Sequence, residues 1–211
     1  MGLHQMTTLE SRLATEVANA KSLLGHLQNG ISIFGGARVT KESPDFATAR
    51  EIARLLALNG YSVIVGGGPG IMEAANQGAF EAANLDLKVR SVGLNIVLPF
   101  EEKGNEYQHI SVNFEHFASR KVSFLRHSKK GFVVCPGGFG TLDEVFEVLC
   151  LQGTRKIDPT PVVFVNKTYW KGLLDWMSDS MLSRGLISEK ELALFTVVDT
   201  PQEVLDIFSH N

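Results

Sequence analysis

The sequence predicts an α/β fold: a doubly wound, mainly parallel sheet of about seven strands with helices on both faces. Three observations predict it. Helical and strand signals alternate along almost the whole chain. The strands, such as Ile31 to Phe34 and Phe132 to Cys135, are short and continuously apolar, as strands covered on both faces must be. Three glycine clusters, Gly35-Gly36, Gly66 to Gly70 and Gly137 to Gly140, each follow a strand. In such sheets ligands sit beyond the carboxyl ends of the strands, so the glycines fall on the ligand edge.

Taken in order, Thr7-x-x-Glu10 has the form of a capping box, and Leu9, Leu13, Val17, Leu24 and Leu27 give an amphipathic helix stopped at Asn29-Gly30. Ile31 to Phe34 is a strand ending in Gly35-Gly36. Ser43-Pro44 opens a second helix that closes at Asn59-Gly60, and the strand Tyr61 to Val65 runs into Gly66-Gly67-Gly68-Pro69-Gly70. An alanine-rich helix covers Met72 to Asn84. Further strands are expected at Val89 to Val97, His109 to Val112, Phe132 to Cys135, Pro161 to Val165 and Phe195 to Val198. The irregular stretch Pro99 to Gln108 reads as a loop over a pocket. No repeat or low-complexity segment interrupts the pattern, so residues 1–211 are expected to form a single Rossmann-like nucleotide-binding domain, with the helix of residues 1–29 packed on it.

Composition narrows the function classes. The chain has 211 residues and a formal net charge of -3, with no basic stripe of the kind nucleic acid requires. No segment approaches the roughly 20 apolar residues of a membrane span, and the N-terminus lacks a signal-peptide core. A cytoplasmic protein acting on a small molecule, without nucleic acid or membrane as partner, is expected. The two cysteines, Cys135 and Cys150, form no Cys-x-x-Cys, and the six histidines show no paired ligand spacing. No metal site and no cofactor are expected.

The chemistry concentrates at Pro136-Gly137-Gly138-Phe139-Gly140-Thr141-Leu142-Asp143-Glu144. Glycines between a strand and a helix leave backbone N–H groups exposed at the positive end of the helix dipole, which is a phosphate cradle. Thr141 can add a hydroxyl, and Glu144 can bring a carboxylate beside whatever carries the phosphate. The dinucleotide fingerprint is broken because Gly66-x-Gly68 is followed at position 71 by isoleucine, and no P-loop occurs. A mononucleotide or sugar phosphate remains. A structural alternative stands beside this one: Thr141-x-x-Glu144 also fits a capping box, with Leu142, Val145, Phe146 and Leu149 as the apolar stripe and several acids in the first turn. Upstream, Phe114, Phe117, Phe124 and Leu125 read as core at helical spacing, while Arg120-Lys121 reads either as a site or as a solvated pair bridged to Glu115 or His116.

The combination Gly66-Gly67-Gly68-Pro69-Gly70-Ile71-Met72-Glu73, Arg120-Lys121 and Pro136-Gly137-Gly138-Phe139-Gly140-Thr141-x-x-Glu144 resembles the Lonely Guy family of cytokinin riboside 5′-monophosphate phosphoribohydrolases and bacterial nucleotide 5′-monophosphate nucleosidases. The resemblance runs from about Ile31 to Trp176. Phe34-Gly35-Gly36-Ala37-Arg38 and the Pro99 to Tyr107 loop look like its bacterial branch, whereas Cys150-Leu151-Gln152-Gly153 departs from the Thr-Trp of plant-type members. The old family label, lysine decarboxylase, finds no Schiff-base motif to support it. The resemblance implies hydrolysis of a purine nucleoside 5′-monophosphate to free base and ribose 5-phosphate. It makes Arg120 and Glu144 catalytic, and implies substrate binding by Gly35, Gly36, Gly66, Gly67, Gly68, Gly70, Met72, Lys121, Pro136, Gly137, Gly138, Gly140 and Thr141. It also implies a homodimer or larger assembly, which the phenylalanines around Arg120 favour. The alternative is a nucleotide-binding or molybdenum-cofactor carrier protein of the same fold.

Overall fold

The computed structural model describes residues 8–83, 88–98 and 104–209. Seven parallel strands lie in the order β4-β3-β2-β1-β5-β6-β7. They are β1 (Gly30–Phe34), β2 (Ser62–Val65), β3 (Ser91–Ile96), β4 (Ile110–Phe114), β5 (Gly131–Val134), β6 (Val162–Val165) and β7 (Thr196–Val198). The chain winds outward from β1 to β4, then returns to lay β5 against the other side of β1, pairing Ile31 with Gly131 and Phe34 with Val134. This reversal between β1 and β5 is the topological switch point, and it opens a crevice at the carboxyl ends of those two strands.

Strand residues alternate between two cores because successive side chains point to opposite faces. Ile31, Ile33, Val63, Val65, Val133, Val163 and Val165 pack under α2 (Pro44–Leu58), α3 (Ile71–Ala83) and α8 (Pro201–Ser209). Phe34, Ile64, Val92, Leu94, Phe132, Val134 and Phe164 pack under α1 (Leu9–Leu24), α4 (Phe117–His127), α5 (Phe139–Gly153) and α6 (Lys167–Trp176). Alanine at positions 49, 53, 57, 74, 75, 79 and 82 lets α2 and α3 approach each other and the sheet closely. A π-helical turn, Met177–Leu182, and the short α7 (Glu189–Leu192) complete the chain between α6 and β7.

Several boundaries differ from the sequence expectation. The N-cap of α1 is Thr8, whose side chain accepts from Ser11 N, while Thr7 of the expected capping box lies outside the described residues. The helix ends at Leu24 rather than Asn29-Gly30, because the chain turns at Gly25 and Gly30 already opens β1. Asn84 at the end of the third helix and residues 99–103 of the expected loop also lie outside the described residues. Phe114 closes β4, pairing with Ile96, instead of joining the helix that follows.

That helix, α4, lacks a cap of its own: His116 at its N-cap makes no side-chain capping bond. Glu16 of α1 instead ties down the residue before the N-cap and two side chains at the start of the helix. Its carboxylate accepts from Glu115 N at 3.1 Å, pairs with His116 Nδ1 at 3.0 Å and accepts from the Ser119 hydroxyl. An anion at this position also suits the positive end of the α4 dipole.

Candidate active site

The crevice at the switch point is a cleft of about 640 Å³. Its walls come from the ends of β1 (Gly35, Gly36, Arg38), β2 (Gly66 to Pro69) and β3 (Asn95, Ile96, Leu98), from Met72, from Phe117, Arg120 and Phe124 of α4, and from Gly138 to Thr141, Asp143 and Glu144 of α5. Glycine at 138 and 140 is not demanded by packing, since a Cβ at either position would meet nothing within 4 Å. Both instead leave the first turn of α5 bare toward the cleft. The N–H groups there have no intrahelical partners, so this turn is able to accept an anion. Tyr169 of α6 supports it from outside, its hydroxyl donating to the Gly137 carbonyl at 2.8 Å.

The capping-box alternative for Thr141 and Glu144 does not hold. The N-cap of α5 is Gly138, without a side-chain cap bond, and the helix begins at Phe139. Thr141 is therefore the third helical residue, buried beside Gly137, and Glu144 belongs to the second turn. No acid lies in the first turn. Leu142, Val145 and Leu149 of the expected stripe do pack on the core, joined by Val148 and by the buried Thr141 and Gln152, while Phe146 is only half-buried. Glu144 then lies at the edge of that face, where the helix meets the cleft.

Burial pushes the Glu144 carboxyl up to about 7, against the opposing pull of the Arg120 and Lys121 charges. A carboxyl poised near neutrality in a cleft is a mark of acid–base chemistry. Arg120 is held rigidly. Its Nε donates to the Leu94 carbonyl at 2.7 Å and its Nη2 to the Gly66 carbonyl at 3.3 Å. Its guanidinium also lies over the rings of Phe124 and Phe117, at 5.4 and 6.0 Å. The close approach explains Gly66, since a Cβ there would stand 2.1 Å from Arg120 Nη2.

Not every expected residue reaches the cleft. Lys121 faces α5, where its ammonium contacts Asp143 and Glu147, each at 2.9 Å. It brackets Glu144 with paired charges and does not line the cleft. Gly70, Pro136 and Gly137 sit behind the wall: Gly70 holds a positive φ of 67°, and the Pro136 carbonyl accepts from Gly36 N at 2.9 Å. The expected bridge from Arg120 to Glu115 or His116 is replaced by Glu16, as described above. Glu16, Glu115 and His116 do bring ligand-type atoms within 4.8 Å of one another, but Glu16 is occupied with the end of α4. Phe117, expected in the core, is half exposed and lines the cleft. Arg38, Asn95 and Phe139 were not singled out for the site by sequence. The signal for Asn95 was available, as a lone amide near the end of an apolar strand.

Comparison with known proteins bears on this geometry. Residues 72–208 match the family described as "Possible lysine decarboxylase". A probable cytokinin riboside 5′-monophosphate phosphoribohydrolase of rice (Oryza sativa subsp. japonica) is 26% identical, covering 90% of this chain and 74% of that protein. The chain belongs to the Lonely Guy family. A second Lonely Guy relative, a bifunctional cytokinin biosynthesis protein of Fusarium pseudograminearum, is 24% identical over 83% of this chain, which spans only 39% of that longer protein. The molybdenum cofactor binding protein of Rippkaea orientalis shares the fold, with a TM-score of 0.58 at 24% identity over 86% of this chain and 95% of that one.

Proposed function

We propose that the protein hydrolyses the N-glycosidic bond of a purine nucleoside 5′-monophosphate, AMP or a cytokinin riboside 5′-monophosphate, to free base and ribose 5-phosphate. One observation carries this reading: a single helix, α5, presents an anion cradle at its N-terminus and, one turn further, a carboxyl raised to about 7. The 5′-phosphate docks on the first turn of α5 and fixes the ribose against Glu144. As the C1′–N bond breaks, its electron pair goes to the base, and positive charge develops on the ribose ring. The Glu144 carboxylate stabilises that charge and accepts a proton from the water that attacks C1′, while the base takes a proton from solvent as it leaves and Glu144 then returns its own to solvent. Arg120, fixed by Leu94 and Gly66, sustains the ionised form of Glu144 and orients it. The activity named for the rice relative supports the substrate class.

Remote binding energy at the phosphate serves to position the reacting bond, so its loss should lower turnover as well as affinity. Chromatographic analysis of reactions with AMP and with adenosine tests this. Adenine and ribose 5-phosphate should form from AMP, with adenosine turned over at least about a hundred-fold more slowly. Equal turnover of the two would remove the phosphate assignment. Tight AMP binding without any product would point to a carrier instead.

A further inference from the structure

The glycine loop that follows β2 is gripped from behind by side-chain amides. Asn105 Nδ2 donates to the carbonyls of Gly67 and Gly68, both at 3.0 Å, and to Asn76 Oδ1 at 2.9 Å. The Asn105 backbone N–H also donates to Gly67 O, at 2.8 Å. Gln108 Nε2 donates to the same oxygen at 3.0 Å, and Gln108 Oε1 accepts from Asn95 Nδ2 at 3.1 Å. Behind them Asn76, fully buried, is tied to β3 by bonds to Ser91 Oγ and the Val92 carbonyl.

The two carbonyls that hold Arg120 each lie one residue from this network. Gly66 precedes Gly67 and Leu94 precedes Asn95, and these are the acceptors of Nη2 and Nε. Only the φ and ψ of Gly67 separate the Gly66 carbonyl from the Gly67 carbonyl, so holding the Gly67 and Gly68 carbonyls narrows the range over which the Gly66 carbonyl can swing. Glycine supplies no side chain to restrain the loop, and Gly67 adopts a positive φ of 77°. The amides provide that restraint.

We propose that Asn105 is a positioning residue for Arg120: its side chain locks the glycine loop so that the Gly66 carbonyl holds the guanidinium in the cleft. The functional consequence rests on the hydrolase reading above, whereas the structural one does not. Removing the Asn105 amide releases the Gly68 carbonyl and takes one of three donors from the Gly67 carbonyl, which loosens the loop and the guanidinium and leaves the first turn of α5 untouched.

Wild type, Asn105→Ala and Gln108→Ala are compared by thermal unfolding, by solvent exchange of the Arg120 Nη–H protons in ¹⁵N NMR, assigned by their loss in Arg120→Lys, and by AMP hydrolysis. In Asn105→Ala, with cooperative unfolding retained, Nη–H exchange should accelerate at least about ten-fold. Its kcat should fall about a hundred-fold while KM changes by less than about three-fold. Unchanged Nη–H protection in folded Asn105→Ala overturns the proposal, whatever its activity. If wild type proves inert toward AMP yet the Nη–H protection is lost in the variant, the hydrolase reading falls and the positioning role stands. Should Asn105→Ala not fold, Gln108→Ala removes one of the three donors to Gly67 and should speed Nη–H exchange about three-fold and lower kcat about ten-fold. Full protection there overturns the proposal equally.

Discussion

At the scale of the residue, Glu144 sets stability against chemistry. Its carboxyl is raised from 4.5 to about 7, chiefly by burial. Between those two pH values the unfolded chain gives up its proton while the folded protein keeps it, so this group's contribution to stability falls as pH rises and is fully lost above about 7. Glu144→Gln keeps the shape and removes the charge. The variant should therefore melt higher than wild type at pH 8, by on the order of 1–3 kcal/mol, with the difference closing as the pH falls toward 4.5. Differential scanning calorimetry across that range checks it, and a variant less stable at pH 8 would mean that the carboxylate supports the fold. Arg120 and Glu144 stood out only through the resemblance to Lonely Guy motifs, which lie in short contiguous stretches, because spacing alone left a capping box and a solvated basic pair open. Asn105 was not legible in the sequence, because its role arises only where the glycine loop after β2 and the 104–109 segment converge in space.

At the scale of the element, the two helices that carry the site begin in unlike ways. The start of α5 is bare glycine, leaving its dipole available to a ligand. The start of α4 is closed by Glu16, a residue about a hundred positions away, which no local pattern announces. Hydrogen bonds from Ser119, His116 and Glu115 hold the Glu16 carboxyl below its usual range in spite of burial, the largest single influence, which acts the other way. Its stabilising effect is thus present above the unfolded carboxyl range and is lost as pH falls through the lowered folded value. Glu16→Ala should destabilise the protein by about 1 kcal/mol at pH 7. The gap from wild type should narrow in acid, as urea titrations at several pH values would reveal; a gap constant with pH would exclude this role of Glu16.

At the scale of the whole molecule, strand existence and the parallel sheet were legible because continuous apolar runs between helices permit little else. The strand order was not, since the return of β5 beside β1 depends on long-range packing, yet that return creates the crevice. No described helix is long and apolar enough to cross a membrane. Phe114 and Phe124 are buried within their own core and offer nothing to a second subunit, whereas Phe117 and Val122 of α4 are 50% and 40% exposed. Val122 borders a groove of about 440 Å³ between α1 and α4, lined also by Leu13 and Val17. We expect sedimentation to show a dimer with this face covered. Val122→Glu should then yield a folded monomer, and a wild type that is monomeric and fully active would remove the dimer from the proposal.

The hydrolase reading is tested most directly by the turnover of AMP by Glu144→Gln, measured alongside its AMP affinity by calorimetry. Loss of the carboxylate should lower kcat by at least about a thousand-fold, while the dissociation constant, set largely by the phosphate on α5, stays within about three-fold of wild type. Wild-type turnover in the folded variant would contradict the assignment, reducing Glu144 to a buried carboxyl at the edge of a helix.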